Sequence, residues 1–151
     1  MIKVLMICHG NICRSTMAES VFTHLVRQRG LEDCFEINSA ATSREEIGNP
    51  PHYGTVTKLK RVGIPVVPHR ARQMTKADYE YYDYLIGMDS ANIRNMNRIA
   101  GGDPDGNVIP AVGYLHNAVG FRLADVHVAH ILDSPKQIAL GKGPPIFTPL
   151  I

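Results

Sequence analysis

Apolar positions along the chain switch between two spacings. Ile2 to Ile7 is a short continuous apolar run that stops at a glycine-containing turn, the pattern of a strand buried on both faces of a parallel sheet. From Thr16 the spacing becomes helical. Met17, Val21 and Leu25 share a face with Phe22 and Val26, Thr16 and Glu19 match a capping box, and Gly30 ends the run. Phe35 to Ala41 reads as a second strand, completing a first βαβ unit. A polar loop from Ser43 to Tyr53 then contains Gly48-Asn49-Pro50-Pro51. Tyr53 to Val62 is helical with Gly63 as its stop, and Ile64 to Val67 is a brief strand. Thr75-Lys76-Ala77-Asp78 opens a short helix, and Tyr84 to Met88 is another buried strand. Asp89 or Ser90 caps a helix carrying Ile93, Met96 and Ile99, which ends at Gly101-Gly102. The alternation predicts an α/β fold on an open parallel sheet.

After Asn107 the pattern changes to Val, Ala, His, Gly and Pro, and Gly141 to Ile151 hold three prolines and two glycines. No closing amphipathic helix is legible there, and the chain shows no internal repeat and no linker. The 151 residues, 44% hydrophobic, are enough for one core. One domain is therefore expected over 1–151, with an atypical segment from about residue 108.

The formal charge of +2 comes from evenly spread Lys, Arg, Asp and Glu. Without a basic cluster, nucleic acid is not an expected partner. No apolar run approaches the roughly 20 residues that cross a bilayer, and Met1-Ile2-Lys3 leads straight into a strand, so a cytoplasmic protein without membrane attachment is expected. Three cysteines without framework spacing fit reduced thiols.

The candidate chemistry lies in Cys8-His9-Gly10-Asn11-Ile12-Cys13-Arg14-Ser15, between the first strand and the first helix. In open α/β sheets ligands bind at the carboxyl ends of strands, and a helix N-terminus offers unpaired N–H groups to an anion. A free thiol has a pKa near 8.5, which a helix N-terminus and a nearby Arg can lower by several units. That placement suits Cys8 as a thiolate nucleophile. A loop curled over itself brings the fork of Arg14 toward a tetrahedral oxyanion above the sulfur, bidentate to two oxygens. Gly10 lets the backbone curl, Asn11 tolerates a left-handed conformation, and Ser15 can give Cys8 a hydroxyl hydrogen bond.

These residues resemble the low-molecular-weight protein tyrosine phosphatase family, whose loop reads Cys-x-Gly-Asn-x-Cys-Arg-Ser-Pro. Every fixed position matches except the last, where Thr16 replaces Pro. The resemblance continues through Met17-Ala18-Glu19, Asn38 to Ser43, Ile47-Gly48-Asn49-Pro50-Pro51, Gly63-Ile64-Pro65, His69 to Gln73 and Met88-Asp89-x-x-Asn92, covering roughly residues 1 to 107. It implies a four-stranded open parallel sheet with helices on both faces and a phosphate-binding loop after the first strand. It further implies hydrolysis of phosphate monoesters through a phosphocysteine, without metal or other cofactor. By that likeness Cys8 attacks, Arg14 binds the phosphoryl group and Ser15 assists the thiolate. His9, Gly10, Asn11, Ile12, Cys13 and Arg14 surround the phosphate, while Asn11, Ser39 and His69 brace the loop. The implied partner is a phosphorylated protein or a small aryl phosphate, with inorganic phosphate as product and a monomer or weak dimer as the acting form. Cys13 has two readings, a redox partner that traps oxidised Cys8 as a disulfide or a small residue packed under the loop. Cys34 reads as a core or strand-edge residue.

The family's proton donor is an Asp followed by Pro and two aromatics, and no such run occurs here. Asp103-Pro104 belongs to Gly-Gly-Asp-Pro-Asp-Gly, which reads as a structural turn. Asp125, after Leu123-Ala124, is the best candidate, with Val126, His127 and Val128 in place of Pro and aromatics; a solvated loop carboxylate is its other reading. Asp133 is weaker. Reduced turnover and doubtful tyrosine-phosphate selectivity are the expected consequences, and a phosphate-binding protein without a competent acid is the competing reading. An arsenate reductase would need further cysteines, and Met88 to Ala100 contain none. A zinc site from Cys8, His9 and Cys13 has the wrong spacing. Tyr79, Tyr81, Tyr82 and Tyr84 read as half-buried aromatics at a helix-to-strand junction, and His116, His127 and His130 as surface or loop histidines. Arg44, Glu45 and Glu46 fall where the likeness places a specificity loop, and their charges hint at polar or basic substrate flanks.

Overall fold

A computed structural model describes residues 1–111 of the chain. Asp125, Asp133, His116, His127, His130 and Gly141 to Ile151 lie outside the described residues. Strands β1 (Ile2–Cys8), β2 (Phe35–Ala41), β3 (Tyr84–Gly87) and β4 (Val108–Pro110) form one sheet in the order β2-β1-β3-β4. Every pairing is parallel, from Ile2↔Phe35 to Cys8↔Ala41, Val4↔Tyr84 to Ile7↔Gly87, and Leu85↔Val108 to Gly87↔Pro110. The helices are α1 (Arg14–Gln28), α2 (Tyr53–Arg61), α3 (Lys76–Tyr81) and α4 (Ser90–Ala100), with a 3-10 turn at Glu32–Cys34.

Strand β1 is paired along both edges and covered on both faces, and the second of these is why its sequence is apolar without alternation. Val4, Met6 and Cys8 face Phe22 and Val26 of α1, and Leu5 and Ile7 face Met74, Tyr79 and Met96 on the opposite side. Each fully buried side chain such as Phe22 or Leu5 contributes roughly 1.5–3 kcal/mol by burial. Phe22 meets Phe35 edge-to-face with ring centroids 5.7 Å apart. A smaller cluster of Val21, Leu25, Leu59 and Ile64 joins α1 to α2.

Four local readings differ. Ile64 to Val67 is not a strand: Pro65 and Pro68 have no N–H to offer a ladder, Ile64 is buried between α1 and α2, and Val67 N donates to Ser20 Oγ at 3.0 Å. The fourth strand is Val108–Pro110, in the stretch whose composition shifts. Helix α1 starts at Arg14, and Thr16 and Glu19 do not form a capping box. Thr16 Oγ1 donates to Cys13 O at 3.0 Å, and Glu19 is turned into the interior. The capping box is at Thr75 and Asp78, on α3. Asp89 caps α4, accepting from Asn92 N at 2.7 Å, and Gly101 closes it in the left-handed conformation at φ 80°. Tyr79, Tyr82 and Tyr84 are buried rather than half-buried, while Tyr81 is exposed, with Lys3 Nζ 3.9 Å from its ring centroid.

Candidate active site

The first crossover leaves β1 on one side and the second on the other, so the carboxyl ends of β1 and β3 flank the point where the strand order reverses. Cys8 ends β1 there, and Asp89 follows β3. Between Cys8 and α1 the chain makes a tight loop. Asn11 adopts φ 58°, uncommon for a residue with a side chain, and its N–H points at Cys8 Sγ at 3.3 Å. The carbonyls of the loop are tied outward: Cys8 O accepts from Thr42 N at 2.9 Å, His9 O from Ser43 N at 3.0 Å and Ile12 O from His52 N at 2.7 Å. The N–H groups of Gly10, Ile12, Cys13 and Arg14 have no partner among the described residues. Outward carbonyls and unpartnered amides at a helix N-terminus make an anion cradle with the sulfur at its base.

Beneath the cradle is a fully used polar relay. Arg72 N donates to Asn11 Oδ1 at 3.2 Å, which fixes the amide's orientation. His69 Nε2 therefore carries the hydrogen it donates to the same oxygen at 2.6 Å. Asn11 Nδ2 donates to Ser15 Oγ and to Ser39 Oγ, both at 2.9 Å. Ser39 Oγ donates to Glu19 Oε2 at 2.5 Å. Ser15 Oγ lies 3.0 Å from Cys8 Sγ. Because the amide already donates to Ser15, that hydroxyl's hydrogen is free to face a negative sulfur. Asn11, Ser39 and His69 are thus joined to one another beneath the loop.

Glu19 is 2% exposed, and burial pushes its carboxyl up to about 7 against the opposing pull of the Ser39 hydrogen bond and the Arg72 charge. His69 Nδ1 is 3.7 Å from Glu19 Oε2. Burial and then the Arg72 charge lower the pKa of His69, so the neutral imidazole is favoured under the loop. Glu19 fits a local capping pattern, but its partners come from β2 and the segment around His69, so nothing near it in sequence marks the role.

Arg14 opens α1 and its Nη1 donates to Asp89 Oδ2 at 2.6 Å. Partial burial works against ionisation of Asp89, but the Arg14 guanidinium and the Asn92 and Ala91 N–H groups outweigh it and hold the carboxyl below its usual range. The fork is anchored across the mouth, and its other N–H donors have no partner among the described residues. The second role of Asp89 was not legible, although its cap was. Cys13 is an exposed free thiol at the start of α1, which removes its reading as a residue packed under the loop. Cys34 is exposed in the turn before edge strand β2 and is no core residue. Asp103 accepts from Tyr79 Oη and Asn107 N, each at 2.8 Å, so its carboxylate is occupied in holding a turn. Among the described residues no three His, Cys, Asp or Glu side chains cluster as metal ligands.

Fold and site define a cysteine-based phosphate-loop protein of the α/β class. Comparison with known proteins carries this further. The sequence model of the family described as low molecular weight phosphotyrosine protein phosphatase matches residues 3–126, a span that takes in Asp125. The low molecular weight phosphotyrosine protein phosphatase of Homo sapiens is 50% identical over 96 residues, covering 64% of this chain and 60% of the relative. The chain thus spans less than two thirds of that relative's length. The low molecular weight protein-tyrosine-phosphatase YfkJ of Bacillus subtilis is 40% identical over 126 residues, covering 83% of this chain and 79% of that one. The crystal structure of YfkJ superposes with a TM-score of 0.77 at 33% identity, over 91% of this chain and 96% of that one. A phosphatase of the same kind from Streptococcus pyogenes superposes at 0.76 and 30% identity, over 92% of this chain and 98% of its own. The chain belongs to the low molecular weight phosphotyrosine protein phosphatase family.

Proposed function

We propose that the protein hydrolyses phosphate monoesters, with phosphotyrosine of proteins as substrate, through a phosphocysteine on Cys8. The observation that carries this is the sulfur of Cys8 at the base of an unpartnered amide cradle, with Asn11 N at 3.3 Å and Ser15 Oγ at 3.0 Å. Sulfur attacks phosphorus as the phosphorus–oxygen bond to the leaving group breaks, and the cradle N–H groups with the Arg14 fork hold the three remaining oxygens. Asp125 gives a proton to the departing phenoxide. Support for that role is its position after Leu123-Ala124 and within the span matched by the family. Water then attacks phosphorus, the sulfur–phosphorus bond breaks, Asp125 takes the proton of the water, and inorganic phosphate leaves. Ser15 donates to the sulfur as it departs.

One domain spanning the chain would act as a monomer or weak dimer, and the three free cysteines support a reducing compartment such as the cytoplasm. Among the described residues no helix is long and apolar enough to cross a membrane. Steady-state hydrolysis of p-nitrophenyl phosphate and of an alkyl phosphate tests the proposal. A proton donor at Asp125 predicts that Asp125→Asn slows the alkyl ester by about 10²- to 10⁴-fold and the nitrophenyl ester far less. Equal slowing of both esters removes Asp125 as the acid, and no hydrolysis of either by the unmodified protein removes the function.

A further inference from the structure

The mouth of the cradle carries a charge that the hydrolytic steps do not use. His9 directly follows the nucleophile, and its Nε2 lies 3.0 Å from Glu45 Oε2, with both side chains more than half exposed. The segment that carries Glu45 is docked on the loop, since Ser43 N donates to His9 O at 3.0 Å. Its next residue packs still closer: a Cβ on Gly10 would lie 3.2 Å from Glu46 Cγ. Glu46 Oε2 is engaged by Asn49 Nδ2 at 2.6 Å. The Glu45 carboxylate has no partner among the described residues except the His9 imidazole. Arg44 is exposed beside it without an ion pair among the described residues, so the three consecutive side chains leave one net negative charge at the rim.

We propose that Glu45 is a specificity-determining residue of this mouth, favouring phosphotyrosine segments with a lysine or arginine next to the phosphorylated residue. The inference rests on the reading that the Cys8 loop binds the phosphoryl group. The cradle and Arg14 answer the phosphate's own charge, so the rim is left to discriminate among flanks. A substrate ammonium or guanidinium reaching Glu45 gains an exposed ion pair, and a substrate carboxylate there meets repulsion. The 3.0 Å contact with His9 holds the Glu45 carboxylate beside the entrance.

The test is fluorescence anisotropy with two peptides bearing a non-hydrolysable phosphonate analogue of phosphotyrosine, identical except for Lys or Glu on either side. The unmodified protein is expected to bind the Lys peptide roughly three- to tenfold more tightly at low ionic strength, with the ratio shrinking as salt is added. Glu45→Gln brings the ratio near one and Glu45→Lys inverts it, an inversion that a merely structural role would not produce. Equal binding of the two peptides, or a ratio unmoved by Glu45→Lys, overturns the assignment. Turnover of p-nitrophenyl phosphate by the unmodified protein is read alongside. Turnover without a peptide preference sinks this inference alone, whereas a preference without turnover upholds it and sinks the catalytic reading.

Discussion

Ser39 Oγ donates to Glu19 Oε2 at 2.5 Å, linking a residue of edge strand β2 to one of helix α1 directly beneath the phosphate loop. The carboxyl is buried, and its folded pKa of about 7 stands above the ordinary 4.5. A raised carboxyl pKa means that the folded state holds the proton more tightly than the unfolded one. The stability this contributes is complete below about pH 4.5 and is lost as pH rises to about 7. His69, whose pKa is lowered, works in the opposite sense, adding stability as pH rises toward its unfolded value, with the gain complete above it. Glu19→Gln keeps an acceptor for Ser39 and removes only the titration. The unmodified protein's stability relative to Glu19→Gln should therefore fall between about pH 4.5 and about pH 7, by on the order of 3 kcal/mol for a shift of that size. Urea unfolding at several pH values measures it, and a difference that stays flat across the range contradicts the buried, proton-holding role.

Asn11 combines a left-handed backbone with a side chain whose two hydrogens and oxygen are all bonded. Asn11→Ala is expected to lose roughly 2–4 kcal/mol of stability, from broken buried bonds and from alanine at positive φ. Asn11→Gly separates the two causes, because glycine accepts the backbone but makes no side-chain bonds. We expect it to remain destabilised by more than about 1 kcal/mol in thermal unfolding, with lower turnover. A glycine variant as stable as the unmodified chain would show that the relay does not hold the loop.

Arg14 presents a planar fork anchored at one corner by Asp89. Arg14→Lys retains the charge and loses the bidentate geometry, so kcat/KM for an aryl phosphate should fall by about 10²-fold or more, with kcat affected as well as KM. Asp89→Asn leaves the fork intact but weakens its anchor, and a milder loss of roughly tenfold follows. Equal activity of Arg14→Lys and the unmodified protein would exclude Arg14 from transition-state binding.

The loop was legible because its signals are contiguous: an apolar strand, a glycine turn and a helical spacing follow each other within β1 and α1, and the Cys8-to-Arg14 spacing lies at their junction. The support beneath it was legible only by resemblance. Glu19 fits a local capping pattern with Thr16, yet its partners Ser39 and His69 arrive from distant segments, and tertiary contacts outweigh a local preference. The same competition misplaced a strand. Ile64 to Val67 has the β-branched composition, but Pro65 within it and Pro68 after it remove ladder donors, while Val108–Pro110 gains its place through β3, which the short run itself does not announce.

In the proposed reaction the Cys8 sulfur takes the phosphoryl group. Rapid acid quench of the protein mixed with p-nitrophenyl phosphate, followed by peptide mass analysis, tests it most directly. The account predicts a phosphoryl adduct on the peptide carrying Cys8, together with loss of both adduct and turnover in Cys8→Ser. Turnover that persists in Cys8→Ser, or an adduct carried on any other residue, contradicts it.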